Sequence, residues 1–355
     1  MKEITIKPLN GDCMTVCRTR VDNLTKPLYS LAKLEEIAVR LAGIFENEQP
    51  KSVKKGIIIF AGDTAVDGPQ NHTKGHESKA VVARLAEGPS PTGAMAERLN
   101  APIYVVDSGL EQDTTDLTNV IQKKVNNGSR FFGMHPAFEN KADVDALLQA
   151  GADLAEEMAA QGIDAIGVGT IGERSLLSGL ALTKAITQYD MAELLTDNEC
   201  TLSIREKAER LQMTMARYGL EEAEAVDILA AVGSPEIVML TGFLLKAASL
   251  QRAVVFDTAV TGAAVLAAAK INPLVKDYVF PSVAYNEPVH KAQMKYLGFT
   301  TYLNYDLAVD EAVGSTLGLS LLDASLHMLN DMKTFGEAEV TVAEDGPGNI
   351  LQDGR

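Results

Sequence analysis

The 355-residue chain carries 32 Lys and Arg against 48 Asp and Glu, which gives a formal net charge of -16 at pH 7. Such a surface repels phosphate backbones and anionic lipid headgroups, so we expect neither nucleic acid nor a membrane as a partner. Hydrophobic residues make up 46% of the chain and aromatic residues 5%, which predicts a globular core of aliphatic side chains. No apolar run is long enough for a signal peptide or a membrane span, which indicates a cytoplasmic location.

The cysteine and histidine pattern argues against a metal site. Cys13, Cys17 and Cys200 fit a reducing compartment and lack the second pair that a zinc site of four cysteines needs. His72 and His76 are four residues apart, but a neighbouring glycine and polar residues indicate a loop rather than a helix face. The sequence therefore predicts no metal.

Short β-rich runs alternate with segments of helical apolar spacing along the chain. After a helical pattern at 31–45, strands are predicted at 56–63, 101–109, 163–170, 235–242, 252–259 and 276–283. Helices are predicted at 142–162, 205–219, 262–271 and 320–338. This alternation predicts an α/β fold with a Rossmann-like parallel sheet and helices on both faces.

The domain organisation follows from the same pattern. Residues 1–50 and 311–340 are expected to form a small helical domain beside a large α/β domain of residues 51–310, with 341–355 as a tail. Ligands of parallel sheets bind at the carboxyl ends of the strands. The polar residues that end the predicted strands are therefore candidates for a site: Asp63, Asp107, Thr170, Asp257 and Ser282.

The segment GVGTIGERS (167–175) has the glycine spacing of a dinucleotide-binding loop. Such a site also needs an acidic residue that ends a second strand about twenty positions later. Here a helical segment follows, which makes Asp190 a poor ribose ligand. What remains is a strand-to-helix turn whose exposed N–H groups favour a phosphate, or a tight turn whose glycines only allow close packing.

Several segments, in order along nearly the whole chain, resemble the nicotinate-nucleotide:dimethylbenzimidazole phosphoribosyltransferase (CobT) family. They are LTKPLYSLAKLEEIAVRLAG (24–43), FAGD (60–63), GVGTIG (167–172), VGSPEIVMLTG (232–242), PSVAYNEPVH (281–290) and DLAVDEAVGSTLGLSLLDASLHMLNDMKTF (306–335). The resemblance implies transfer of the 5-phosphoribosyl group of nicotinate mononucleotide to an aromatic base, which activates the lower ligand of a cobamide. It implies no cofactor, and a dimer with active sites near the interface.

The resemblance also implies site residues. Glu311, in VDEAVG, matches the family's general base. The remaining candidates are expected to bind substrate: Gly169, Thr170, Gly172, Arg174, Ser175, Asp63, Asp257, Glu287, His290 and Gly314.

Several polar groups of the family pattern are replaced in this chain. The family's phosphate-binding GNTT run reads GERSLLS here (172–178), so that two hydroxyl donors become leucines. Thr170 stands where the family has a Glu, and Asp310 stands where the family has a Gly directly before the general base. Glu173 brings negative charge to the expected phosphate site, and Arg174 offsets it only if its side chain turns inward. Further family residues are replaced at Thr64, Val283, Ala308, Ala312 and Val313.

These replacements leave three hypotheses open. The first is a non-catalytic or weakly catalytic subunit that forms a heterodimer with a competent paralogous chain. The second is an active transferase, in a homodimer, with an altered acceptor such as a benzimidazole, a purine or a phenolic compound. Under this second hypothesis, Glu311 is the general base and Arg174 binds the phosphate of the donor. The third and most remote is a nucleotide-binding oxidoreductase built on GVGTIG.

Overall fold

The computed structural model describes residues 4–64, 78–130, 135–195, 204–307 and 309–340. Within these residues, six strands form one sheet in the order β3-β2-β1-β4-β5-β6, and every neighbouring pair is parallel. The strands are β1 Lys55–Gly62, β2 Ile103–Gly109, β3 Val120–Gln122, β4 Ala165–Ile171, β5 Ala253–Phe256 and β6 Val279–Pro281. The predicted α/β fold with a parallel sheet is confirmed. The histidine pair at 72 and 76, Cys200, Ala308 and the tail lie outside the described residues.

Fourteen α-helices of the described residues surround the sheet. They are α1 Gly11–Asp22, α2 Lys33–Ile44, α3 Ser78–Glu87, α4 Pro91–Arg98, α5 Lys141–Ala160, α6 Ser175–Thr187, α7 Met191–Leu194, α8 Ile204–Tyr218, α9 Ala225–Val232, α10 Pro235–Ser249, α11 Ala259–Ile271, α12 Pro288–Leu297, α13 Val313–Asp331 and α14 Phe335–Ala338. A short 3-10 helix spans Pro273–Asp277. Helices α10 and α13 pack directly on the strands, and α5 packs outside α10.

The prediction of a strand at 235–242 is wrong. These residues form the first half of α10, which begins with Pro235 in the first turn, where proline is favoured. Nearly every residue of α10 is buried, because the helix packs between the sheet and α5. A helix that is apolar on all sides lacks the 3.6-residue period, so its sequence resembles a buried strand.

The N- and C-terminal helices pack against each other. Leu24 forms an antiparallel bridge with Thr334, and Arg20 Nε donates to the carbonyl oxygen of Leu329 at 3.1 Å. A buried ion pair of 2.9 Å joins Lys26 Nζ to Glu35 Oε1. The hydrophobic core is continuous from these helices into the sheet. The division into a small helical domain and a large domain stays a prediction.

The close approach of α5 and α10 yields a stability prediction. A Cβ added at Gly242 would lie 2.0 Å from the carbonyl oxygen of Leu148, so we expect Gly242→Ala to force the helices apart. The cost should be about 1–3 kcal/mol of unfolding free energy, the usual range for overpacking a core. Urea denaturation should show a lower midpoint. Gly11→Ala is the control, because its Cβ would meet nothing within 4 Å; equal midpoints for wild type and Gly242→Ala would contradict this packing.

Candidate active site

A pocket of about 290 Å³ lies where β4 and β5 end. Its walls come from the first turns of α6, α11 and α12, together with Thr170 of β4, Leu194, Leu195 and Asp310. The N-terminal end of a helix carries partial positive charge and unpaired N–H groups. Three such ends therefore converge on one cavity.

The first turn of α6 provides a place for an anion. Arg174 occupies the N-cap position with φ of 63°, and no side chain caps the helix. Ser175 lines the pocket, and its hydroxyl is buried near the carboxyl of Glu236. Gly172 lets the loop pass the end of β1, since a Cβ there would lie 1.7 Å from the carbonyl oxygen of Gly62. An anionic group such as phosphate fits the donors of this turn.

Arg174 lines the pocket, and its side chain is mostly buried. Its Nη1 donates to the carbonyl oxygen of Thr64 at 2.6 Å, and its Nη2 lies 3.5 Å from Glu173 Oε2. Among the described residues that line the pocket, Arg174 is the single cation, whereas Glu287 and Asp310 are acidic. An anion in this pocket thus meets one guanidinium that is already engaged, and two carboxylates that repel it.

Glu311 lies in a tight turn just before α13. It has φ of 54° and Ala312 has φ of 64°, both in the left-handed region that non-glycine residues rarely adopt. Its Oε1 accepts from Arg84 Nη2 at 2.6 Å, and its Oε2 is buried without a hydrogen-bond partner. Its carbonyl oxygen accepts from Thr92 Oγ1 at 2.5 Å. Arg84 therefore holds one carboxylate oxygen, whereas the other is buried without a hydrogen bond; Glu311 is not among the residues that line the pocket.

Asp63, which follows β1, connects its own loop to the loops that follow β2 and β4 through hydrogen bonds. Its Oδ1 accepts from Ser78 Oγ at 2.7 Å and from the backbone N–H of Glu173 at 3.0 Å. Its Oδ2 accepts from the backbone N–H of Glu111 at 3.0 Å. These contacts give Asp63, which is fully buried, a structural position beneath the pocket wall.

Asp257, His290 and Gly314 pack next to one another. Burial raises the pKa of Asp257 to about 7, and the charge of Asp310 adds to the rise. Asp257 Oδ2 accepts from the backbone N–H of Ser315 at 3.0 Å, and a Cβ at Gly314 would lie 2.7 Å from the Cβ of Asp257. Burial lowers the pKa of His290 to about 4, so its imidazole is neutral at pH 7.

Glu236 is a buried acid that sequence reasoning did not single out. Its Oε1 accepts from the hydroxyl of Ser234, and its Oε2 has no hydrogen-bond partner. Burial raises the pKa of Glu236 to about 8, while the nearby hydroxyls of Ser234 and Ser175 oppose the rise. The only sequence signal was an acid inside an otherwise apolar run. A protonated carboxyl therefore lies beside the first turn of α6.

The structure separates the candidate residues into two groups. The pocket brings together Thr170, Gly172, Arg174, Ser175 and Glu287. The other candidates are not part of its lining: Asp63, Gly169, Asp257, His290, Glu311 and Gly314. Their roles in binding or catalysis stay predictions.

Comparison with known proteins identifies the family. A family profile described as phosphoribosyltransferase matches residues 6–340. The nicotinate-nucleotide–dimethylbenzimidazole phosphoribosyltransferase of Geobacter sulfurreducens is 30% identical over 339 residues, which cover 94% of this chain and 96% of that protein. The chain belongs to this family. A protein of the same name from Deinococcus radiodurans is 31% identical over 347 residues, or 94% and 93% of the two chains.

A solved CobT family structure supports the same assignment. The crystal structure of the enzyme from Thermus thermophilus superposes with a TM-score of 0.87 at 26% identity, and the match covers 94% of this chain and 100% of that one. The resemblance inferred from the sequence is confirmed. Asp190 precedes α7 instead of ending a strand, which fits a member of this family better than a dinucleotide-binding oxidoreductase.

The described residues lack both a membrane-spanning helix and a metal-binding cluster. None of their helices combines the length and the apolar character that crossing a bilayer requires. None of their His, Cys, Asp and Glu side chains form a group of three or more that could hold a metal ion.

The buried acids predict how stability depends on pH. A carboxyl whose pKa is higher in the folded state stabilises the fold fully below its unfolded value, here 4.5, and this contribution is lost as pH rises through about 8. We expect the unfolding free energy to fall from about pH 5 to about pH 8, by up to ~1.4 kcal/mol per pH unit for each group. Glu236→Gln should flatten this slope in urea denaturation.

The exposed Glu97 offers a control for this change, because Glu97→Gln removes the same charge from the surface. In Glu97→Gln, the unfolding free energy should fall with pH as steeply as it does in the wild type. If Glu236→Gln and wild type lose stability equally between these pH values, Glu236 is not protonated in the folded protein.

Proposed function

We propose that this chain transfers the 5-phosphoribosyl group of nicotinate mononucleotide to an aromatic base, in the activation of a cobamide lower ligand. The observation that supports this most is the first turn of α6. An uncapped helix end lies there at one pocket, and Arg174 and Ser175 are among the residues that line it. Together they can bind the donor's phosphate. The names of the Geobacter and Deinococcus relatives support the same reaction.

Glu311 is the general base of the proposed reaction. Arg84 fixes one carboxylate oxygen, while the other is buried and has no hydrogen-bond partner. A carboxylate that is oriented at one oxygen and has no hydrogen-bond partner at the other can accept a proton at the second oxygen. The acceptor atom bonds to C1′, nicotinate leaves with the electron pair of the glycosidic bond, and the acceptor's proton passes to Glu311. Benzimidazoles, purines and phenols are the acceptors to test.

A second candidate function is that of a weakly catalytic or non-catalytic subunit beside a competent paralogous chain. Leu176 and Leu177 line the pocket in the first turn of α6, where they offer no side-chain donors to a phosphate. Glu287 and Asp310 add negative charge to the same pocket. Weak donor binding would follow, and a paralogue in a two-fold dimer could supply the stronger site. As an active enzyme, the chain would instead form a homodimer.

The decisive experiment uses the purified chain alone. It is incubated with nicotinate mononucleotide and a panel of benzimidazoles, purines and phenols, and nicotinate release is followed by chromatography. We expect release by the wild type, and a loss of at least ~10²-fold in Glu311→Gln because the acceptor's proton has no base. Glu36→Gln, which removes an exposed carboxylate on α2 paired with Lys33, should keep the wild-type rate.

Retained activity in Glu311→Gln would disprove the base assignment. No release from folded wild-type protein, with any acceptor, would favour the second candidate. In that case Glu311→Gln should leave the turnover of a complex with the paralogue unchanged, whereas a several-hundredfold collapse would rule out the non-catalytic role.

A further inference from the structure

Positively and negatively charged residues both line the pocket, which suits a ligand that carries an anionic and a cationic group. The first turn of α6 offers Arg174 and an uncapped helix end, which suit an anion. Glu287 and Asp310 line the same cavity and suit a cation. Nicotinate mononucleotide carries both signs, because its phosphate and its ring carboxylate are anionic while its ring nitrogen is cationic.

The turn before α13 separates two adjacent carboxylates. Asp310 lines the pocket, whereas Glu311 bonds to Arg84 outside the pocket lining. The left-handed conformations of Glu311 and Ala312 reverse the chain at this point. A Cβ on Gly169 would lie 2.5 Å from the backbone nitrogen of Ala312, so β4 fixes the turn closely. Asp310 therefore keeps its place at the pocket.

The negative charge of Asp310 acts on ionisable groups inside the protein. Its charge contributes to the raised pKa of the buried Asp257, and also to that of Tyr285. Of the two acids that line the pocket, Glu287 occupies the N-cap position of α12, where the helix end offsets part of its charge. Asp310 lies three residues before Val313, the first residue of α13. Both carboxylates contribute negative potential to the pocket, and that of Asp310, in the turn beside Glu311, also acts on Asp257.

We infer that Asp310 supplies the carboxylate that faces the cationic ring nitrogen and C1′ of the donor, while the donor's phosphate binds at Arg174. This inference rests on the proposed phosphoribosyl transfer. As the glycosidic bond breaks, its electron pair moves to the ring nitrogen and positive charge moves to C1′. A carboxylate placed there stabilises the transition state more than the bound donor. The same carboxylate repels the phosphate.

Asp310→Asn should therefore weaken catalysis and at the same time strengthen the binding of phosphate. We expect kcat for nicotinate release to fall at least ~10-fold, because the cationic transition state loses a counter-charge. Inorganic phosphate should inhibit the variant with an inhibition constant about threefold lower, because a repulsive charge is removed. Asp310→Glu should recover part of kcat. A merely structural fault would lower kcat and weaken phosphate binding together.

Asp306→Asn is the matched control. It removes the same charge from an exposed residue of the same segment that does not line the pocket, so both constants should stay at their wild-type values. Unchanged kcat in Asp310→Asn, weaker phosphate inhibition, or equal effects of both substitutions would overturn the inference while leaving the proposed function intact. No nicotinate release by wild type would overturn the proposed function, and the inference with it.

Discussion

The close approach of Ala312 to Gly169 is the constraint on which the site depends. Glu311 and Ala312 hold left-handed conformations that cost free energy in residues with a Cβ, and such conformations persist only where neighbouring contacts fix them. Three contacts do so here. Gly169 allows the turn to touch β4, Thr92 donates to the carbonyl oxygen of Glu311, and Ser315 Oγ donates to Val168 of β4 at 2.8 Å. The turn decides which way each of two neighbouring acids points.

The second constraint is the parallel sheet. Because all its strands run in one direction, the helices that follow β4 and β5 begin at the same edge and direct their N-terminal ends to one cavity. Asp63 locks the loops at that edge by accepting from the N–H groups of Glu111 and Glu173. In a chain of net charge -16, the helix ends and one arginine give this cavity local positive potential, because they act at short range.

Two buried acids lie near this edge, and burial suppresses their negative charge. Burial raises the pKa of Glu236 to about 8 and that of Asp257 to about 7, so both carboxyls are protonated to a large extent at neutral pH. Each has one oxygen without a hydrogen-bond partner. Ionising Glu236 next to Ser175 would add a charge beside the proposed phosphate position. The protonated state thus suits both the fold and an anionic ligand.

The sequence by itself determined the family, the alternation of strands and helices, and the strand-to-helix turn at 167–175, because these depend on local pattern and on ordered motifs. It could not determine α10, since a helix buried on all sides has no periodic signal, nor β3, which has only three residues. Nor could it show that Asp310 lines the pocket while Glu311 meets Arg84. Adjacent residues are separated by the backbone turn, and that turn exists only because β4 and α4 pack against it.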